Sequence, residues 1–262
     1  MDLNRLLQNY PAIRHTEYHA ALGSTNDRAR ELAQLGAPDI ALIVADEQTA
    51  GRGRQNRSWY TPPGSALAFS LLTRPVIPAR QAMRLTMLAG LAVVEGIERA
   101  TGLRLDLKWP NDVVTITNSQ LPTARKVGGI LTECAFLGDA IDYAVIGIGL
   151  NVNVDFSQHS ELRHSAASLL ALKGAPIDRE AVLKAVVVAY LDRVEWLASE
   201  HRLREAWAGR LINLQRPIRV NLHDQILDGF AEAVDGDGAL LLRTASGVQR
   251  LLSGDVTLHD LN

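Results

Sequence analysis

Asp142 to Val154, reading DYAVIGIGLNVNV, is a continuous β-rich run, and such a stretch needs neighbouring strands to satisfy its backbone groups. The chain supplies candidates on both sides. Thr16 to His19 is a short opening strand, Ile40 to Ala45 a buried one, and Ala66 to Arg74 a third, bounded by Pro62, Pro63 and Gly64 before it and Pro75 after it. The second and third are expected to pair. Leu103 to Lys108 enters a further strand that Pro110 stops, Asn111-Asp112 opens Val113 to Ile116, and Lys126 to Phe136 returns after the polar run Thr117 to Arg125, read as an exposed hairpin tip. These strands make the floor of one sheet, and no exposed edge strand stands out among them.

Helical periodicity fills the gaps. Ser24 or Thr25 caps a helix carrying Ala29, Leu32, Ala33 and Leu35 up to Gly36. Ala79 to Thr101 places Met83, Met87, Ala89, Leu91, Val94 and Ile97 at helical spacing and ends at Gly102, so it should pack on the sheet. Ala166 to Leu172 and Asp178 to Leu214 are helical again, with Asp178 or Pro176 as the start of the second and Trp196 and Trp207 as apolar anchors. Composition then changes abruptly near Ile212 to Arg216. Ile218 to Leu222, Gly229 to Val234, Ala239 to Thr244 and Val248 to Leu252 are short alternating segments, expected to form a small β-barrel. Asp235-Gly236-Asp237-Gly238 lacks the remaining carboxylates of a calcium loop and reads as a hairpin turn. Two units follow, 1–213 and 214–262.

One loop concentrates chemistry. Ala50 to Trp59, AGRGRQNRSW, holds two glycines and three arginines directly after a buried strand and Ala45-Asp46-Glu47-Gln48. Gly51 and Gly53 let the backbone approach a ligand closely, and Arg52, Arg54 and Arg57 carry planar donors suited to carboxylate or phosphate. A solvated surface loop is the plain alternative for this stretch taken alone. Gly147-Ile148-Gly149 lacks the third glycine and following helix of a dinucleotide site, so close backbone approach within a strand is the better reading.

Composition limits the partners. The 262 residues suffice for one large or two smaller domains at roughly 100 to 200 residues each. A net charge of −2 argues against a general polyanion binder, so the cationic groups must act locally and no DNA partner is expected. The single cysteine, Cys134, excludes an intramolecular disulfide and reads as a core strand residue. MDLNRLLQNY is not a secretory signal, and no apolar run approaches the about 20 residues that span a bilayer, so a cytoplasmic protein is expected. His15 and His19 share a strand face without converging on a metal, and no metal-ligand set is identified.

Taken in order, STN (24–26), QTAGRGRQNRSW (48–59), KWPND (108–112), KVGGIL (126–131) and GIGLNVN (147–153) resemble the biotin protein ligases, closely over Leu22 to Val154 and more loosely through the C-terminal segments. The resemblance is to the short form, because residues 1 to 15 are too few for the DNA-binding module of the dual repressor and ligase. It implies an α+β fold: a mixed, largely antiparallel sheet flanked by helices, of the class II synthetase-like biotin/lipoate ligase type, with a C-terminal SH3-like β-barrel. It also implies a reaction in which biotin and ATP give biotinyl-5′-AMP and pyrophosphate, followed by acylation of one lysine of a biotin carrier protein such as the acetyl-CoA carboxylase carrier subunit.

Position by position, the resemblance puts Ser24, Thr25, Asn26, Gln48, Arg52, Gly53, Arg54 and Lys126 against biotin. It puts Arg54, Trp59, Lys108, Trp109, Asn111, Lys126 and Asn151 near the nucleotide, whose phosphates carry Mg²⁺. Asn56 departs from the glycine that many members carry, which bears on closure of the loop, and Thr117 to Ala124 is longer than the family's link. Members occur as monomers and as homodimers.

The chemistry can be argued from charge alone. A carboxylate approaching a phosphate brings two negative charges to about 4 Å, a repulsion of roughly 4 kcal/mol at an effective dielectric near 20. Arg52, Arg54 and Lys126 are the fixed cations available to offset it. The first nucleophile is already anionic, whereas the acceptor amine, with a pKa near 10.4, is neutral in only about one molecule in 2,500 at pH 7. Asp112 is the group expected to orient or deprotonate that amine. A lipoate or octanoate ligase shares the adenylation logic but needs an apolar tunnel rather than a polar STN set. A nucleic-acid binder using the arginine loop would show steep salt dependence.

Overall fold

Residues 1–116, 124–157, 159, 161–222 and 225–258 are described by the computed structural model. A short helix α1 (Leu3–Leu7) precedes β1 (His15–Leu22), α2 (Thr25–Gln34), β2 (Ala41–Gln48), β3 (Leu67–Thr73) and the long α3 (Met83–Thr101). Then follow β4 (Asp106–Lys108), β5 (Asp112–Ile116), β6 (Ala124–Leu137), β7 (Ala140–Leu150), α4 (Leu169–Lys173), α5 (Arg179–Leu191) and α6 (Glu200–Ala208). The chain closes with β8 (Arg216–Asn221), β9 (Ile226–Val234), β10 (Leu240–Thr244), β11 (Gly247–Leu251) and β12 (Asp255–Leu258). The hairpin tip and long insertion expected from Thr117 onward fall mainly on 117–123, outside the described residues.

The first seven strands form one sheet in the order β1-β2-β3-β7-β6-β5-β4, with β1 and β2 parallel and the other neighbours antiparallel. Strand alternation assigns its two faces. Leu42 and Val44 of β2, and Ile146, Ile148 and Leu150 of β7, enter the main core with α3 and α5. Ala41, Ile43 and Val145 face the other way and pack with Ala29, Leu32 and Ala33 of α2. On that second face β3 presents Ser70 and β7 presents Gly147 and Gly149 in place of large apolar groups. The missing bulk leaves room for a site.

Several local outcomes differ from the sequence reading. The β-rich run ends as a strand at Leu150, because the Asn151 and Asn153 amides donate to Val127 O (2.8 Å) and Ser65 O (2.7 Å) and lead the chain off the sheet. Asp178 to Leu214 is not one helix. Asp178 does cap α5 through its carboxylate, but the helix stops at Asp192, a 3₁₀ turn covers Val194–Ala198, and extended Ser199 (φ −104°, ψ 91°) precedes α6. Free edges also exist: β1 borders the sheet, and β5 covers β6 only as far as Gly129, leaving Leu131 to Leu137 paired on one side among the described residues, whereas the β4 edge is covered by 210–212, with Leu107 bonded to Arg210 O and Ile212 N at 2.9 Å each.

The C-terminal strands pair antiparallel in the order β11-β10-β9-β8-β12, and β12, which the sequence reading missed, lies against β8. The Asp235–Gly238 turn is a hairpin closed by Asp235, whose Oδ1 accepts from the Asp237 and Ala239 amides. This turn seats the C-terminal sheet on the first unit. Trp109, fully buried, donates Nε1–H to Gly238 O at 3.0 Å, and buried Arg84 of α3 donates to Gly236 O at 3.0 Å and lies 3.3 Å from Asp237. Gly238 holds φ +85°, and a Cβ there would meet Met83 and Met87 within 2.8 Å. Cys134, on β6 and partly buried, is unpaired, and burial pushes its thiol up to about 11.

Candidate active site

A cavity of about 480 Å³ opens on the glycine-bearing face of the sheet, within the range of small-molecule sites. One wall is the start of α2. Ser24 occupies the N-cap position but makes no side-chain cap bond, which leaves its hydroxyl for other partners. Thr25 N and Oγ1 both donate to Gln48 Oε1, at 2.9 and 3.1 Å. Ser70 Oγ lies 2.7 Å from both Thr25 Oγ1 and Asn26 Oδ1. Asn26 in turn donates Nδ2–H to Glu133 Oε2 (2.7 Å) and Leu131 O (3.2 Å). Buried polar groups held this way cannot swing to suit any ligand, so they select one whose donors and acceptors match.

The arginine loop is a tight hairpin over the mouth. Trp59 N donates to Gly51 O (2.9 Å), Gly53 N to Arg57 O (2.7 Å), and Arg52 bridges to Ser58. A Cβ on Gly51 would sit 2.6 Å from Trp59 O, so that glycine is required by the close approach. The left-handed residue recorded in the loop is Gln55, at φ 55°. The indole of Trp59 lies on the glycine shelf, where a Cβ at Gly149 would come within 2.4 Å of it, and its buried Nε1–H has no hydrogen-bond partner among the described residues. Lys126 Nζ stands 5.6 Å from the Trp59 ring centroid.

The cations differ in how they are held. Arg52 is bonded through both terminal nitrogens to Asp27, at 2.8 and 2.7 Å. Arg57 pairs with Asp255 of β12. Lys126 Nζ lies 2.6 Å from Asp112 Oδ1, whose other oxygen is 3.7 Å from Lys108 Nζ. Arg54 alone of the loop arginines is without a carboxylate in ion-pair contact among the described residues, donating instead to the neutral Asn111 Oδ1 at 3.2 Å. Burial lowers the Arg54 pKa, against the opposing pull of Asp255 and Asp112. It is a desolvated charge facing a cavity, a disposition that favours an arriving anion.

Two family models match the chain, one described as the biotin/lipoate A/B protein ligase family over residues 19–151 and one as the biotin protein ligase C terminal domain over 214–258. The chain belongs to the biotin/lipoate A/B protein ligase family. Among relatives of this family member, the bifunctional ligase/repressor BirA of Bacillus subtilis is 37% identical over 93% of this chain and 74% of its own length. The biotin–acetyl-CoA-carboxylase ligase of Paracoccus denitrificans is 32% identical, over 90% and 98%. A biotin protein ligase of Aquifex aeolicus in complex with biotin and ATP superposes at a TM-score of 0.77 with 26% identity, covering 94% of this chain and 99% of that one.

Within this family member, Ser24, Thr25, Asn26, Gln48, Arg52, Gly53, Arg54, Trp59, Asn111, Asp112, Lys126 and Asn151 all line the one cavity. Trp109 and Lys108 do not. Trp109 is consumed by the contact with the C-terminal sheet, and Lys108 donates to Val256 O at 3.2 Å while standing behind Asp112. Asn151 lines the cavity but spends its amide donors on Lys126 O (3.3 Å) and Ala167 O (3.1 Å), which pins the lysine's backbone. Sequence reasoning missed Tyr60, Phe156, Glu161, Leu162 and Asp255. Asp255 was missed because its strand went unrecognised, although the Gly254-Asp255 pair after a β segment marks a turn into it.

Proposed function

We propose that this chain is an ATP-dependent biotin protein ligase, forming biotinyl-5′-AMP and passing the biotinyl group to one lysine of a carrier protein such as the acetyl-CoA carboxylase carrier subunit. The observation that carries this reading is that the polar set of Thr25, Asn26 and Gln48, held from behind by buried Ser70, and the cations Arg54 and Lys126 face the same cavity. The first group suits a ureido ring, with donors and acceptors fixed at short range, and disfavours a simple apolar chain. The second suits the two anions that must meet.

The biotin carboxylate attacks the α-phosphorus of ATP, a P–O bond forms as pyrophosphate leaves, and no base is required because the nucleophile is already ionised. Arg54 and Lys126 offset the charge that accumulates. Arg52, neutralised by Asp27, contributes little to that offset. Among the described residues no cluster of three or more ligating side chains occurs, and the cavity carboxylates Asp112 and Asp255 lie against Lys126 and Arg57. No step is assigned to Mg²⁺, which would arrive on the nucleotide phosphates.

In the second step the amine attacks in its neutral form, a C–N bond forms at the mixed-anhydride carbonyl as the C–O bond to AMP breaks, and the proton the amine sheds passes to Asp112 and from there to solvent. Asp112, already holding one ammonium at 2.6 Å, fits the task of orienting the incoming one. The activity is assigned to residues 1–213, with 214–262 closing the site through Asp255, in the cytoplasm; no helix among the described residues is long and apolar enough to cross a membrane. For a homodimer the edge of β6 beyond Ile130, with Phe136 and Leu137 exposed, is open to a second sheet, and sedimentation of the purified chain tests it.

Incubation with biotin, MgATP and a carrier domain, followed by intact mass, tests the function. One added biotinyl group on the carrier is expected. Absence of nucleotide consumption with biotin, or equal consumption with lipoate, would overturn the assignment.

A further inference from the structure

Arg52, Asp27, Arg30 and Glu133 form a closed charge network that the reaction itself does not use. Arg52 Nη1 and Nη2 donate to the two oxygens of Asp27 at 2.8 and 2.7 Å, with Glu133 behind at 3.6 Å. Arg30 ties the same carboxylates together, donating to Asp27 at 2.9 Å and to Glu133 Oε1 at 2.9 Å. The remaining Glu133 oxygen accepts from Asn26 at 2.7 Å. Two guanidiniums and two carboxylates balance, so Arg52 has no spare charge for the reacting anions. Burial by itself would raise the Asp27 carboxyl, but the hydrogen bonds and charge of Arg52, with Arg30, hold it below its usual range.

We propose that Asp27 is a positioning residue, a latch that fastens the arginine loop through Arg52 and thereby sets Arg54 over the cavity. Only Gly53 separates the two arginines, so the Arg54 Cα lies within two Cα steps, about 7.6 Å of chain, of an anchored point. A bidentate pair fixes direction as well as distance, which a single lysine contact would not. The same network reaches Asn26, so loop position and the polar wall of the cavity are joined through Glu133. The functional half of this inference rests on the ligase reading above; the structural half does not.

Limited trypsin digestion of the ligand-free protein separates the two. Asp27→Asn should speed cleavage after Arg54 and Arg57 about fivefold, the scale of a partly exposed bidentate pair, with an unchanged melting temperature. Asp27→Glu should restore most of the protection. Arg52→Gln should expose the loop as Asp27→Asn does, and the double variant should add nothing further. Wild-type cleavage rates in Asp27→Asn, or an equal increase when Asp27→Asn is added to Arg52→Gln, would overturn the latch. Given biotin and MgATP, Asp27→Asn should also release free adenylate about fivefold faster than wild type. If the wild-type chain forms no adenylate at all, the ligase reading fails while the digestion result still decides the latch.

Discussion

Gly147 and Gly149 lack side chains because the space a Cβ would take is already filled, at Gly147 by Asn26 Oδ1 2.1 Å away and at Gly149 by the Trp59 indole at 2.4 Å. Gly147→Ala should therefore displace Asn26 and weaken biotin binding at least about tenfold, on the order of 1.4 kcal/mol, as isothermal titration would register. Arg54→Gly removes the unpaired loop cation, and free biotinyl-AMP should appear in solution and label lysines indiscriminately; tight retention by that variant would contradict the role given to Arg54. Asp112→Asn should slow single-turnover transfer from preformed adenylate, and an unchanged rate would remove Asp112 from the second step. Away from the cavity, Glu17 is flanked by Arg28 at 2.8 Å and by His15 and His19, and the Arg28 hydrogen bonds, outweighing burial, lower its carboxyl from 4.5 to about 2. A lowered folded value means stability that is present above pH 4.5 and lost as pH falls toward 2. The stability gap between wild type and Glu17→Gln in urea should be widest near neutrality and close across that acid window.

At the scale of elements, the sheet is held by what crosses its two faces. α3 and α5 meet where Gly96 leaves no room, since a Cβ there would lie 2.6 Å from the Val186 backbone. Alanine at that position gains helix propensity of about 1 kcal/mol, but forcing two helices apart in a packed core costs roughly 1 to 3 kcal/mol. Gly96→Ala should thus lower the urea midpoint, and an increase would show that the helices separate freely. The arginine hairpin is anchored differently, by Asp27 of α2 at one end and Asp255 of β12 at the other, with Arg54 between them. A lid fastened at its ends can present its middle to a ligand without losing the ordering of the whole segment.

At the scale of the whole molecule, the C-terminal sheet is docked by buried polar contacts rather than by apolar area alone. Trp109→Phe keeps an aromatic ring but removes the pyrrole half of the indole with its N–H, so it leaves Gly238 O without that donor in a buried setting, a loss of about 1 to 3 kcal/mol before any cavity is counted. Hydrogen exchange in β9 to β12 should quicken in that variant, and ATP affinity should fall with it because Asp255 rides on the same sheet. Much of this organisation was legible in advance: strands and helices with their own periodicity, such as β2, β3 and α3, were placed within a few residues because each buries a face whose spacing is written locally. Asn26, Gln48, Arg54 and Lys126 were also found, through motif order, and all line the cavity. The breaks within 178–214 and the strand β12 were not legible, because tertiary partners such as β8 decide them. The division of labour among the cations was equally hidden. By itself the sequence determined which stretches bury a periodic face and which residues carry charge, since those are properties of neighbours in the chain. Which arginine is neutralised, which remains unpaired, and that the Trp109 indole is buried against the Gly238 turn were decided only by tertiary structure, because an ion pair or a buried donor is defined by residues such as Asp27, Asp255 and Gly238 that folding alone brings into reach.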